Sequence, residues 1–238
     1  MDFNNLFELE SERKARDFMG ADNMGKLLAL EKKVRDAIVS DNIISLINYD
    51  TDVGTKFFKD GYIYYSRIFG LCKTLGITNI YDIGGRNWQP SFLLIDSPDI
   101  NYTGIDCHDI DYEYLNGVFE EHKNIKFQKA YYPFDIMAAG NNIAVSHYAM
   151  GTLLTEEESI KIAAAALSKD FERILINIKR EWLHIWETGL AEFRLYTVDC
   201  KGDAKERPLV LGTKFPEEID KLKHIEYDYL NDEFAVKI

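Results

Sequence analysis

At 238 residues, with 46% apolar and 13% aromatic side chains, the chain can bury a full hydrophobic core and is too apolar for disorder. A formal net charge of -12 repels phosphate backbones and anionic lipid, and runs such as Lys32-Lys33 and Lys179-Arg180 are too short to offset it, so nucleic acid is not an expected partner. No stretch approaches the ~18–20 unbroken apolar residues of a membrane span, and the start Met1-Asp2-Phe3-Asn4-Asn5 lacks the basic and apolar regions of a secretory signal, so a cytoplasmic protein with no membrane partner is expected.

The first 76 residues read as helices. Leu27, Leu30, Val34 and Ile38, then Ile43, Ile44 and Ile47, follow the spacing of one helical face through a charged background. Tyr65, Ile68, Phe69, Cys72 and Leu75 do the same over 62–75, and Gly76 is a suitable C′ residue to stop that helix.

From Ile77 onward the texture changes. Thr78–Ile83, Tyr102–Ile105, Ile125–Gln128, Asn142–His147 and Arg173–Ile178 are short runs rich in β-branched and aromatic residues. Helical patterns at 91–95, 112–122, 134–139 and 156–168 alternate with them. Ile174-Leu175-Ile176-Asn177-Ile178 is apolar without alternation, as in a strand covered on both faces. The expected fold is α/β: a doubly wound, mainly parallel, seven-stranded Rossmann-like sheet, with an amino-terminal helical extension over 1–76 and the main domain over 77–238. At the end, 216–223 reads as a short helix, and 225–230 and 233–238 as an antiparallel hairpin assigned to the main sheet. A second hairpin, 193–198 with 208–213, then falls within an insertion at 187–214. Trp182 and Trp186, four apart, share one side of a helical turn at its start, as packing anchors or as the lip of a substrate pocket.

Cys72, Cys107 and Cys200 are widely spaced without a CxxC, which points to reduced thiols. Cys107-His108-Asp109 holds three ligand types, but adjacent residues seldom converge on one ion, so no metal is expected. The chemistry concentrates elsewhere. An apolar strand runs through Asp82 and Ile83 into Gly84 and Gly85, and Pro90 suits the first turn of a following helix. Glycines at the carboxyl end of a strand let backbone approach a ligand, and a helix N-terminus offers free N–H groups. Asp106 ends the next strand about 20 residues on, the spacing of an acid that accepts hydrogen bonds from ribose hydroxyls.

On these residues the sequence resembles the class I S-adenosylmethionine-dependent methyltransferases, over about 77–238. Asp82 and Gly84 match the family's first motif, with Gly85 added, while Arg86 and Trp88 stand where its second and third glycines are usual. Asp106 falls at the ribose-binding acid. The stretch from Lys129 to Phe134 is similar to the segment flanking adenine, and Asn142 to Met150 to the fourth strand and the loop beside the methyl group. The resemblance implies S-adenosylmethionine as cofactor, held by Asp82, Gly84, Gly85, Arg86, Asp106, Cys107, Ala130, Tyr131 and Ser146, with the Arg86 guanidinium placed for the methionine carboxylate. His147, at the end of the fourth strand, is the candidate catalytic base for a hydroxyl or acidic N–H. The acceptor implied is a small molecule, and the amino-terminal helices are either its cover or a homodimer surface. Two other readings stand beside this one: a non-catalytic Rossmann-like protein with a degenerate cofactor site, and an NAD-dependent oxidoreductase. Against the oxidoreductase, Gly84, Arg86 and Gln89 occupy the three glycine sites of the dinucleotide motif.

Overall fold

The computed structural model describes residues 68, 71–73, 75–84, 97–107, 112–132, 138–146, 149–198, 208–218, 225–228 and 233–236. The expected helical extension therefore lies outside the described residues except for its last turns. Those turns end as Gly76 suggests: its φ is 68°, its N–H donates to Lys73 O at 3.3 Å, and Ile77 N–H donates to Cys72 O at 2.8 Å. This double closure is a Schellman cap, which a side chain at Gly76 would strain.

Five strands form where β-branched and aromatic residues cluster: β1 (Asn79–Ile83), β2 (Asn101–Asp106), β3 (Ile125–Lys129), β4 (Asn142–Ser146) and β5 (Arg173–Asn177). They pair in parallel, and with β6 (Arg194–Val198) and β7 (Leu209–Thr213) they make one sheet in the order β3-β2-β1-β4-β5-β7-β6. β7 runs antiparallel to both β5 and β6. The expected doubly wound, mainly parallel seven-stranded sheet is thus present, but its last two strands differ from expectation. The terminal hairpin, β8 (Ile225–Asp228) and β9 (Glu233–Val236), forms a separate two-stranded sheet. The strands assigned to an insertion complete the main sheet instead. The residue types explain the exchange. Leu209-Val210-Leu211-Gly212-Thr213 is buried throughout, as an interior strand must be, whereas Ile225-Glu226-Tyr227-Asp228 places an acid at every second position and suits a sheet open to water on one side.

Four helices are described: α1 (Tyr112–Val118), α2 (Met150–Leu153), α3 (Glu157–Asp170) and α4 (Leu183–Gly189). The apolar face of α3 follows helical spacing, with Ile160, Ala163, Ala164 and Leu167 buried. It packs with Ile185 and Trp186 of α4 against Ile83, Ile105, Ala144, Ile174, Ile176 and Val210 of the sheet. A Cβ on Gly189 would stand 2.5 Å from Ala164 Cβ, so the close α3–α4 approach needs glycine there. Trp186 is wholly buried in this cluster and Trp182 packs against it half-buried, which is the anchoring role rather than a pocket lip. On the opposite face, Phe119 packs on Phe127 with ring centroids 5.4 Å apart. At the β3 edge the Asn116 amide caps Phe127 on both sides, accepting from its N–H at 2.8 Å and donating to its C=O at 2.9 Å. That satisfies edge groups which would otherwise face outward unpaired. Among the described residues, no helix is long and apolar enough to cross a membrane.

The amino-terminal end of β5 is held by a buried ion pair. Arg173 Nε and Nη2 donate to Glu218 Oε2 and Oε1 at 2.8 and 2.6 Å, and Thr213 Oγ1 donates to Glu218 Oε2 at 2.7 Å. The guanidinium also lies over the Phe215 ring, 4.6 Å from its centroid. The Cys72 thiol is pushed up to about 12 by burial, with the nearby Arg173 charge opposing that shift. Because a buried charge left alone is costly, Glu218→Leu should lower unfolding free energy by about 3–5 kcal/mol. In urea denaturation the Arg173→Met/Glu218→Leu double variant should regain most of that loss. A single-variant loss below ~1 kcal/mol would mark the pair as no stronger than an exposed one.

Candidate functional site

In the sheet order, β1 stands between β2 and β4, and chain connections leave it in opposite directions. Such a switch point opens a crevice at the carboxyl ends of the strands. Here the tips are laced together by backbone hydrogen bonds. Gly84 N–H donates to Ile105 O at 2.8 Å, and Ala130 N–H donates to Asp106 O at 2.9 Å. The Tyr112 hydroxyl at the start of α1 donates to the same Asp106 carbonyl at 3.1 Å. Gly84, Asp106 and Ala130, all named from the sequence, thus stand side by side on three adjacent strands. Asp106 is buried at the end of β2, and Cys107 beyond it is half-buried.

Gly84 has φ 77°, a conformation that disfavours any side chain. A Cβ there would also meet Ala149 Cβ at 2.3 Å. The missing side chain therefore admits the loop after β4. The same crowding recurs one strand further on. A Cβ on Gly151 would stand 2.1 Å from Asn177 O, and Lys179 N–H donates to Gly151 O at 3.1 Å. These contacts fold the start of α2 down onto the tips of β1 and β5.

Ser146 ends β4 buried, and its Oγ accepts the Met150 N–H at 2.9 Å, so the hydroxyl caps the first turn of α2. Tyr131 projects outward, 74% exposed, just beyond Ala130. Tyr132 turns back inward onto the core, and its phenol is held above its ordinary range by burial and then by the Asp170 charge.

Asp82 is wholly buried two residues before Gly84 and accepts a 2.7 Å hydrogen bond from the Tyr102 hydroxyl. Burial, then the Asp82 charge and this hydrogen bond, hold the phenol well above its usual range, so Tyr102 stays protonated as the donor. Asp82 therefore lies beneath the tips, not at their surface. Gly85, Arg86 and His147 lie outside the described residues. Sequence reasoning did not foresee three contacts at these tips, those made by Tyr102, Ala149 and Gly151. The pattern Tyr102-Thr103-Gly104, a phenol two residues before a glycine in a buried strand, was the one available signal for the first. Ala149 and Gly151 act through close approach across the fold, which no local pattern announces. Among the described residues, no group of three or more His, Cys, Asp or Glu side chains is placed to hold a metal ion.

No family model matches the sequence, and no curated relative matches it. Solved structures do. The methyltransferase domain of bacterial CtHen1 is 12% identical with TM-score 0.50, and the match covers 65% of this chain and 98% of that one. DesVI of Streptomyces venezuelae is 10% identical with TM-score 0.47, covering 65% and 92%. The S-adenosylmethionine-dependent methyltransferase SibL is 13% identical with TM-score 0.43, covering 63% of this chain but 57% of its own length. At this identity the CtHen1 likeness concerns the fold alone: with its strand order, this chain has a Rossmann-like α/β fold shared with that methyltransferase domain.

The Gly84 geometry carries its own test. Gly84→Ala adds about 1–2 kcal/mol for the left-handed backbone and about 1–3 kcal/mol for overpacking on Ala149. An unfolding free energy lower by about 2–5 kcal/mol is expected from these two effects together. Adding Ala149→Gly should restore only the packing share. Full recovery in the double variant would show that the backbone conformation costs nothing.

Proposed function

We propose that this chain is an S-adenosylmethionine-dependent methyltransferase acting on a small molecule. One observation carries the reading: at the switch point of a Rossmann-like sheet, the Gly84, Asp106 and Ala130 tips stand side by side, Gly84 bonded to Ile105 and Ala130 to Asp106. The residues fit the cofactor chemically. The Asp106 carboxylate at the second tip suits the vicinal hydroxyls of an unphosphorylated ribose. Ala130 and the exposed Tyr131 offer a flat, apolar flank for adenine. Gly85 and Arg86 follow Gly84 directly in sequence, and the Arg86 guanidinium suits the methionine carboxylate.

When bound, S-adenosylmethionine supplies a methyl group already activated on a sulfonium. The protein then has to orient the acceptor and, for a hydroxyl or acidic N–H, remove a proton. His147 is the base assigned to that proton. It follows Ser146, whose bond to Met150 N–H pins the start of the loop. The net charge of -12 favours a small neutral or cationic acceptor over a nucleic acid. Three widely spaced cysteines without a CxxC favour a cytoplasmic setting.

Calorimetric titration with S-adenosylhomocysteine should show micromolar binding, and NAD should give no heat. Asp106→Ala removes a charged acceptor for two hydroxyls, so affinity should fall about 100-fold. Silence from S-adenosylhomocysteine, or an unchanged Asp106→Ala affinity, overturns the reading. Alkylation supplies an independent check. Half-buried Cys107 beside Asp106 should react with iodoacetamide, and S-adenosylhomocysteine should slow that reaction. Buried Cys72, with its thiol pushed up to about 12, should stay unlabelled in the folded protein.

A further inference from the structure

The acid beneath the glycine turn is held by a device built from three residues on two strands. In the β1–β2 register Ile80 pairs with Tyr102 and Asp82 with Gly104, so all four share one face of the sheet. Tyr102 therefore starts one pleat below Asp82 and reaches it by lying across Gly104. A Cβ on Gly104 would stand 3.2 Å from Tyr102 Cε1 and 2.9 Å from Phe127 Cδ1. Phe127 closes the slot from β3, edge-on to the Tyr102 ring with centroids 6.1 Å apart. At the far end of the slot the hydroxyl donates to Asp82 Oδ2 at 2.7 Å, and both residues are wholly buried.

Stability alone does not select such a pair. Burying a carboxylate carries a desolvation cost that its partners barely offset, and apolar residues of similar volume usually pack at least as well. What the pair adds is position. It joins β1 to β2 one pleat below two tips, Gly84 and Asp106, which are themselves adjacent through the Gly84 to Ile105 hydrogen bond. A polar bond has one geometry, whereas two apolar side chains at the same place can slide.

We propose that Tyr102 is a positioning residue of the cofactor site: through its hydrogen bond to Asp82 it fixes the spacing of the Gly84 and Asp106 tips that receive the nucleoside. This rests on the S-adenosylmethionine reading above. Tyr102 touches no ligand in this scheme and acts only through Asp82.

Tyr102→Phe removes the hydroxyl and leaves the ring in its slot. The Kd for S-adenosylhomocysteine, measured well below the melting temperature, should rise about tenfold or more, the scale of a lost hydrogen bond to a charged acceptor. In an Asp82→Leu background, which offers no acceptor, the same substitution should change Kd less than about twofold. Ile125→Val, on the same face of β3, should lower the melting temperature and leave Kd unchanged. If Tyr102→Phe does not fold, the apolar pair Asp82→Leu/Tyr102→Phe carries the test, and wild-type affinity in that variant overturns the proposal. A wild-type chain that binds, with an equal Kd for Tyr102→Phe, overturns this inference alone. A wild-type chain silent to S-adenosylhomocysteine overturns the cofactor reading and this inference with it.

Discussion

The hydrogen bond from Tyr102 to Asp82 is the contact around which the centre of the sheet is arranged. It is buried at the centre of a parallel sheet, where the neighbouring strand positions are filled by Ile80, Ile143 and Val145. A carboxylate there needs a donor aimed at it, and the Tyr102 hydroxyl is one. That donor requires a bare Gly104, and Gly104 in turn lets Phe127 close over the ring. One polar bond thus dictates residue choice on three strands. Directly above it stand the Gly84 and Asp106 tips, which we propose receive the nucleoside.

The two ends of the sheet are stabilised by different physics. At the amino-terminal end of β5, Arg173, Glu218 and Thr213 form a buried ionic cluster, and Glu172 and Asn142 exchange hydrogen bonds between the starts of β5 and β4. Nothing in that end asks to move. At the carboxyl end the lacing is backbone to backbone, and side chains are deleted where chains cross at Gly84 and Gly151. One end is thus held by charge, and the other by backbone bonds and by chains packed closely at glycines.

Much of this was legible in the sequence, because parallel strands buried on both faces announce themselves as short runs of β-branched residues. All five parallel strands, the long α3 and the Gly76 cap lie where periodicity and turn chemistry put them. The order of the last strands was not legible. Two candidate hairpins competed for one sheet edge, and burial of both faces of Leu209–Thr213 decided between them. Burial is a property of the assembled sheet. Gly84, Asp106 and Ala130 were readable as strand-end positions, because each closes a short β-branched run. Ser146 was readable as a position, but its cap on α2 was not. Tyr102 escaped notice because its partner lies 20 residues away and only the parallel register brings them together.

The central claim is that the Gly84, Asp106 and Ala130 tips form a nucleoside site. A crystal structure of the chain with S-adenosylhomocysteine tests it most directly. The ribose hydroxyls should lie within hydrogen-bond distance of the Asp106 carboxylate, with adenine flanked by Ala130 and Tyr131. A ligand bound away from the β1 and β2 tips, or one whose ribose turns from Asp106, would contradict it.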